Sequence, residues 1–120
     1  MITHKDLDIW KEGIKLVEKI YKLTENFPDN EKFGIVLQMQ RSAVSIPTNI
    51  AEGAARQSIK EFIQFLYIAL GSLSELETLL IITDKLNYVA KKEYNEIFEE
   101  IEKLRRMILN FIKYQKGKKK

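Results

Sequence analysis

Cysteine is absent from this 120-residue chain, which excludes disulfides, thiolate nucleophiles and cysteine-bound metals. Histidine occurs once, as His4, so no His pair, catalytic triad or multi-His metal site can be built within one chain. Only 5 Gly and 2 Pro are present, too few for the many turns of a β-sandwich or barrel. The apolar runs fall well below the ~20 residues that cross a bilayer. Asp6, Asp8, Lys11 and Glu12 interrupt any leader-like stretch at the N-terminus. A cytoplasmic protein with no membrane partner, cofactor or metal is expected.

What remains is a helix-forming composition. Hydrophobic residues make up 45% and charged residues 31%, enough apolar side chain for the core of one compact domain. The net charge of +3 is unevenly spread, because Lys113, Lys116, Lys118, Lys119 and Lys120 supply five of the 20 basic residues. Residues 1–112 hold 15 basic against 17 acidic residues, a net of −2. The chain therefore divides into a near-neutral body, 1–112, and a basic tail, 113–120. Phosphate attraction rests mainly on that tail.

Periodicity predicts four helices, over about residues 6–25, 30–52, 58–86 and 91–113. In the first, Leu7, Trp10, Ile14, Val17, Tyr21 and Thr24 step by three and four along one face, Asp6 is a candidate N-cap, and Phe27-Pro28 ends the segment. In the second, Val36 or Leu37, Gln40, Val44, Pro47 and Ala51 mark the apolar face. Pro47 is expected to kink it, and Gly53 to cap its C-terminus. Ser58-Ile-Lys-Glu61 has the form of a capping box. It opens a third helix carrying Phe62, Phe65, Leu66, Ala69, Leu73, Leu76, Leu80 and Thr83, which closes at Asn87. The fourth carries Tyr94, Ile97, Phe98, Ile101, Leu104, Ile108, Leu109 and Ile112. Short connections make successive helices antiparallel, so the expected fold is all-α, an up-down-up-down four-helix bundle.

There is more apolar surface than one bundle needs. Ile9, Leu16, Ile20 and Leu23 lie off the first stripe, and Ile63, Tyr67, Ile68, Leu70, Leu79, Ile81 and Ile82 widen the third. Met107 and Phe111 widen the fourth. A bundle helix buries a stripe of roughly 100°, so the excess predicts a homo-oligomer.

Polar residues form a second pattern. Arg41, Ser45, Thr48 and Glu52 recur along the second helix beside Asn49, with Arg56 following and with Glu61 and Glu75 on the third. An assembly network is expected here, tying the second helix to a neighbour. Were Glu52 one partner of a buried ion pair, Glu52→Ala would cost ~3–5 kcal/mol. An ordinary solvated face is the alternative. Carboxylates are the remaining catalytic candidates, and Glu96-x-x-Glu99 and Glu99-x-x-Glu102 have the spacing of Mg²⁺-binding pairs in all-α pyrophosphohydrolases. Tyr94, Ile97, Ile101, Leu104 and Ile108 define the buried side of that helix, which turns these glutamates toward solvent. Di-iron sites need Glu-x-x-His. HEPN-type RNases need an Arg-x₄₋₆-His motif, and both lack their histidine here.

The run Arg41-Ser-Ala-Val-Ser-Ile-Pro-Thr-Asn-Ile-Ala-Glu-Gly53, followed by Arg56, Ser58 and Glu61-Phe62, resembles the signature of the four-helix bundle proteins encoded in bacterial 23S rRNA intervening sequences. Leu7-x-x-Trp10, Ile20-Tyr21, Phe27-Pro28, Glu31-x-Phe33-Gly34 and the segment Ile68 to Thr78 extend the resemblance over about residues 7–88. It implies an up-down four-helix bundle assembled into a ring, typically a homopentamer. The family is similar to the accessory protein of diversity-generating retroelements, which binds nucleic acid and a reverse transcriptase. The family often has two consecutive arginines where this chain has Gln40-Arg41, one positive charge fewer.

The expected function is accordingly non-enzymatic: a homo-oligomeric scaffold or accessory protein associated with nucleic acid or ribonucleoprotein. RNA or DNA would be held through phosphate contacts at Lys113, Lys116, Lys118, Lys119 and Lys120, with Arg41 and Arg56 assisting. No stacking platform is evident from the sequence. The alternatives are a protein-binding ring with no nucleic-acid role, with a reverse transcriptase as one type of partner, and more remotely a Mg²⁺-dependent all-α hydrolase.

Overall fold

In a computed structural model, residues 3–118 are described, and they form four long α-helices: α1 (Asp8–Thr24), α2 (Ile35–Ala54), α3 (Ile59–Lys85) and α4 (Lys91–Lys118). One-turn 3₁₀ helices at His4–Asp6 and Asp29–Glu31 precede α1 and α2, and no strand occurs among the described residues. α1 packs on α2 and α4, and α3 packs on the same two; the diagonal pairs make no close backbone approach. This is the up-down four-helix bundle, drawn out to about 50 × 23 × 21 Å. Lys119 and Lys120 lie outside the described residues.

Helix ends follow local chemistry. Ser58 Oγ accepts from the Glu61 backbone N–H at 3.1 Å, and the hydroxyl donates to the Glu61 carboxylate. Asn87 takes the left-handed conformation, φ 62°, and the Tyr88 and Asn87 amides bond back to the Thr83 and Asp84 carbonyls, a Schellman closure. Asp6 does not cap α1: it completes a capping box with Thr3 around the preceding 3₁₀ turn, and Leu7 takes the cap position with no side-chain bond. Segment 29–34 is a 3₁₀ turn and a short connection, so α2 begins five residues later than the sequence pattern suggested. α4 continues to Lys118, five residues past its expected end.

The core of α1 and α2 lies largely one residue out of phase with the expected stripes, of which Thr24, Val36 and Pro47 are buried as expected. Ile9, Leu16, Ile20 and Leu23 are buried in α1, and Ile35, Val36, Met39, Ala43, Ile46 and Ile50 in α2. Trp10, Ile14 and Val17 are half-buried, and Tyr21 is exposed. Both helices carry two adjacent apolar stripes about 100° apart. The stripe that meets the facing helices goes inward, Leu16, Ile20, Met39, Ile46 and Ile50 being fully buried in the shared core. α3 matches expectation more closely, with Leu66, Ala69, Leu73, Leu76, Leu80 and Thr83 buried and Phe62 and Phe65 half-buried.

Close helix approach is bought at two glycines. A Cβ on Gly53 would lie 2.7 Å from Phe65 Cβ and 2.8 Å from Phe62 Cδ1, so Gly53 is a contact residue inside α2, and Ala55 is the C-cap. A Cβ on Gly13 would meet the Pro47 ring at 3.3 Å. α2 runs on through Pro47. The buried hydroxyls of Thr24, Ser42 and Thr83 donate to carbonyls one turn back, and no buried side-chain polar atom lacks a partner among the described residues. α3 taken alone is long and apolar enough to cross a bilayer, which the search for short apolar runs missed. In the bundle its inward face packs on α2 and α4.

Candidate nucleic-acid interface

The charge of α4 is split along its length. Residues 91–102 hold Glu93, Glu96, Glu99, Glu100 and Glu102 against Lys91 and Lys92. Residues 103–118 hold six basic residues, Lys103, Arg105, Arg106, Lys113, Lys116 and Lys118, and no acid. The acidic half is pinned to its neighbours. Lys19 of α1 bonds Glu100, Glu12 of α1 approaches Lys103 at 3.6 Å, and Lys91 reaches Asp84 at 3.3 Å. Arg105 turns inward and grips Glu77 of α3 with both guanidinium nitrogens at 3.3 Å, while also bonding Glu102. A hydrogen bond with the Glu77 carboxyl, followed by the charge and hydrogen bond of Arg105 and the charge of Arg106, holds the Glu102 carboxyl below its ordinary range.

The C-terminal half is left open. Arg106, Lys113, Lys116 and Lys118 are all exposed, so three of the five tail lysines stand on the last turns of a helix. Ile112 and Gln115 on the inward side are buried and anchor this last segment. Lys116 Nζ donates to the Tyr67 hydroxyl on α3 at 3.2 Å and lies 5.7 Å from that ring's centre. Lys118 sits 5.2 Å from the ring centre of Tyr114. Because α2 ends and α3 begins at the same end of the bundle, Arg56 and Lys60 stand there too, both exposed.

Arg56 is one of the predicted contributors. It pairs with Glu52 at 3.5 Å one turn away, and its guanidinium lies 4.9 Å from the Phe65 ring centre. Arg41 lies elsewhere, exposed on the middle of α2, with no ion pair among the described residues. Within the polar stripe, Ser45 shares a 2.8 Å hydrogen bond with Ser72 of α3, and Asn49 donates to the Ser45 carbonyl and hydroxyl. Those three tie α2 to α3. Thr48 bonds only its own helix, to the Val44 carbonyl. Glu52, Glu61 and Glu75 are exposed, and Glu61 engages only Ser58. Within one subunit the Glu52–Arg56 pair is a surface pair worth at most about 1 kcal/mol. Glu96 and Glu99 are exposed as well.

Sequence reasoning missed Tyr67 and Tyr114 as parts of this region, having counted Tyr67 only as surplus apolar surface. The acid-free stretch after Glu102 was the available signal. It also missed a groove between α1 and α2, lined by Trp10, Ile14, Val17, Val44, Pro47 and Ala51, which continues past Tyr21, Leu37 and Arg41. The stripes expected to be core are the walls of this groove.

A family model described as 23S rRNA-intervening sequence protein matches residues 5–110. No curated protein matches the sequence significantly. Among solved structures, a Bacteroides thetaiotaomicron VPI-5482 protein of unknown function from the S23 ribosomal protein family superposes with a TM-score of 0.79 at 27% identity, over 88% of this chain and 98% of that one.

Proposed function

This chain belongs to the 23S rRNA-intervening sequence protein family, and we propose that it is a cytoplasmic, non-enzymatic scaffold that self-assembles and holds RNA or DNA by its phosphates. One observation carries the nucleic-acid reading: six basic residues and no acid over residues 103–118, with Lys113, Lys116 and Lys118 exposed on one helix end. Binding of this kind is electrostatic, indifferent to sequence and steeply salt-dependent. The half-buried α1–α2 groove and the exposed Ile68, Ile81, Ile82 and Leu109 support self-association, and the family resemblance supports a pentamer. In a ring, repeated weak phosphate contacts gain avidity.

The test is charge removal without loss of length. Truncation after Ile112 would also delete the buried Gln115 and the Lys116–Tyr67 contact, so Lys113→Gln, Lys116→Gln and Lys118→Gln together are the cleaner variant. Fluorescence anisotropy at two salt concentrations should show most of the affinity lost. The log–log salt slope should flatten by about 0.7–0.9 for each phosphate contact removed. Unchanged affinity would move the site to Arg41 and Arg56. No binding by the wild type at low salt would favour a protein-binding ring, for which the apolar groove is the surface.

A further inference from the structure

We propose that the C-terminal end of α4 takes single-stranded nucleic acid, with phosphates on Lys113, Lys116 and Lys118 and bases stacked on Tyr67 and Tyr114; this rests on the phosphate-binding reading above. Two large rings stand open beside the lysines. Tyr67 is 48% exposed and Tyr114 61%. Both are held in place. The Lys116 ammonium fixes the Tyr67 hydroxyl across the α3–α4 seam, and Tyr114 leans on Phe111 with ring centres 6.2 Å apart. Ring and cation are thus paired twice, Lys116 with Tyr67 and Lys118 with Tyr114.

At 100° per residue, Lys113 falls between Lys116 on the α3 side and Tyr114 on the α1 side. The outer surface of the last turns therefore carries Lys116, Lys113, Tyr114 and Lys118 in that order, over an arc of about 200°. Asp6 and Asp8 share a groove with Tyr114, so the acid-free part of this surface lies on the Lys113–Lys116 side. A duplex keeps its bases stacked on one another, so it can use the lysines but not the rings. A single strand offers both its phosphates and free base faces.

The experiment compares labelled oligo-dT and oligo-rU with a duplex of the same length, about 20 nucleotides, on the full-length chain. Tyr67→Ala with Tyr114→Ala should weaken single-strand binding roughly tenfold or more, leaving duplex affinity and salt slope unchanged. Tyr67→Phe with Tyr114→Phe should retain most of the wild-type single-strand affinity, since the stacking faces survive the loss of the Lys116 bond to the Tyr67 hydroxyl. Unchanged single-strand affinity in the alanine variant, with an intact thermal melt, overturns the stacking and leaves the phosphate reading standing. Equal losses for strand and duplex overturn it too. Failure of the wild type to bind any probe at low salt overturns both.

Discussion

Gly53, in the last turn of α2, and Gly71, in the middle of α3, should respond oppositely to the same methyl group. At Gly53 the new Cβ would press against Phe65 Cβ at 2.7 Å and Phe62 Cδ1 at 2.8 Å. Relief requires the α2–α3 seam to open or two aromatic side chains to move, which typically costs about 1–3 kcal/mol. At Gly71 nothing lies within 4 Å, and helix propensity alone applies. Gly71→Ala should therefore stabilise by roughly 0.5–1 kcal/mol. Thermal melts of the two variants by circular dichroism check both signs. A Gly53→Ala variant as stable as the wild type would mean that the seam is looser than these distances.

At the scale of elements, Arg105 is what allows Glu77 on α3 and Glu102 on α4 to face each other. Removing it as Arg105→Ala leaves two carboxylates together without their shared cation and should cost about 1 kcal/mol near neutral pH, because all three side chains are partly exposed. The Glu102 carboxyl sits below its ordinary value of 4.5 through a hydrogen bond with Glu77 and the charges of Arg105 and Arg106. A depressed folded-state value means that its contribution is present above the unfolded carboxylate range and is lost as pH falls through the folded one. The difference between wild type and Arg105→Ala should therefore be full at pH 7 and shrink below about pH 4. Urea melts across that range measure it, and a pH-independent difference would assign the loss to packing of the arginine stem.

Helix number and order were legible because every connection is marked by chemistry that acts within a few residues: Pro28, the Ser58–Glu61 cap, and Asn87 at φ 62°. Which face turns inward was not legible for α1 and α2. Ile9-Leu16-Ile20-Leu23 and Trp10-Ile14-Val17-Tyr21 satisfy the same 3.6-residue period, and only the partners across the bundle decide between them. α3 has one dominant stripe and was read more nearly correctly, although Ile63 and Leu79, counted as surplus, are buried in the core. The candidate site divides in the same way. Its lysines are visible as a run without acids, whereas the rings beside them depend on the seam that brings Lys116 of α4 to Tyr67 of α3.

Over the whole molecule, the displaced stripes become an argument about assembly. Trp10, Ile14 and Val17 on α1 and Val44, Pro47 and Ala51 on α2 leave a groove whose lining is almost wholly apolar, although the core beneath it is already filled by Leu16, Ile20, Ile46 and Ile50. Fold stability does not require this groove to be apolar, whereas an interface does. Val44 separates the two roles, because its side chain is 39% exposed and a charge there can reach water in an isolated subunit. Val44→Glu should leave the helical signal and the monomer fold intact while placing a carboxylate against whatever covers the groove. Light scattering after size exclusion should then give several times 14.1 kDa for the wild type and about 14.1 kDa for the variant. An assembly that survives Val44→Glu would move the interface to the exposed Ile68 and Ile82 on α3. A wild type that runs as a monomer at micromolar concentration would overturn the proposed ring, and with it the avidity proposed for phosphate binding.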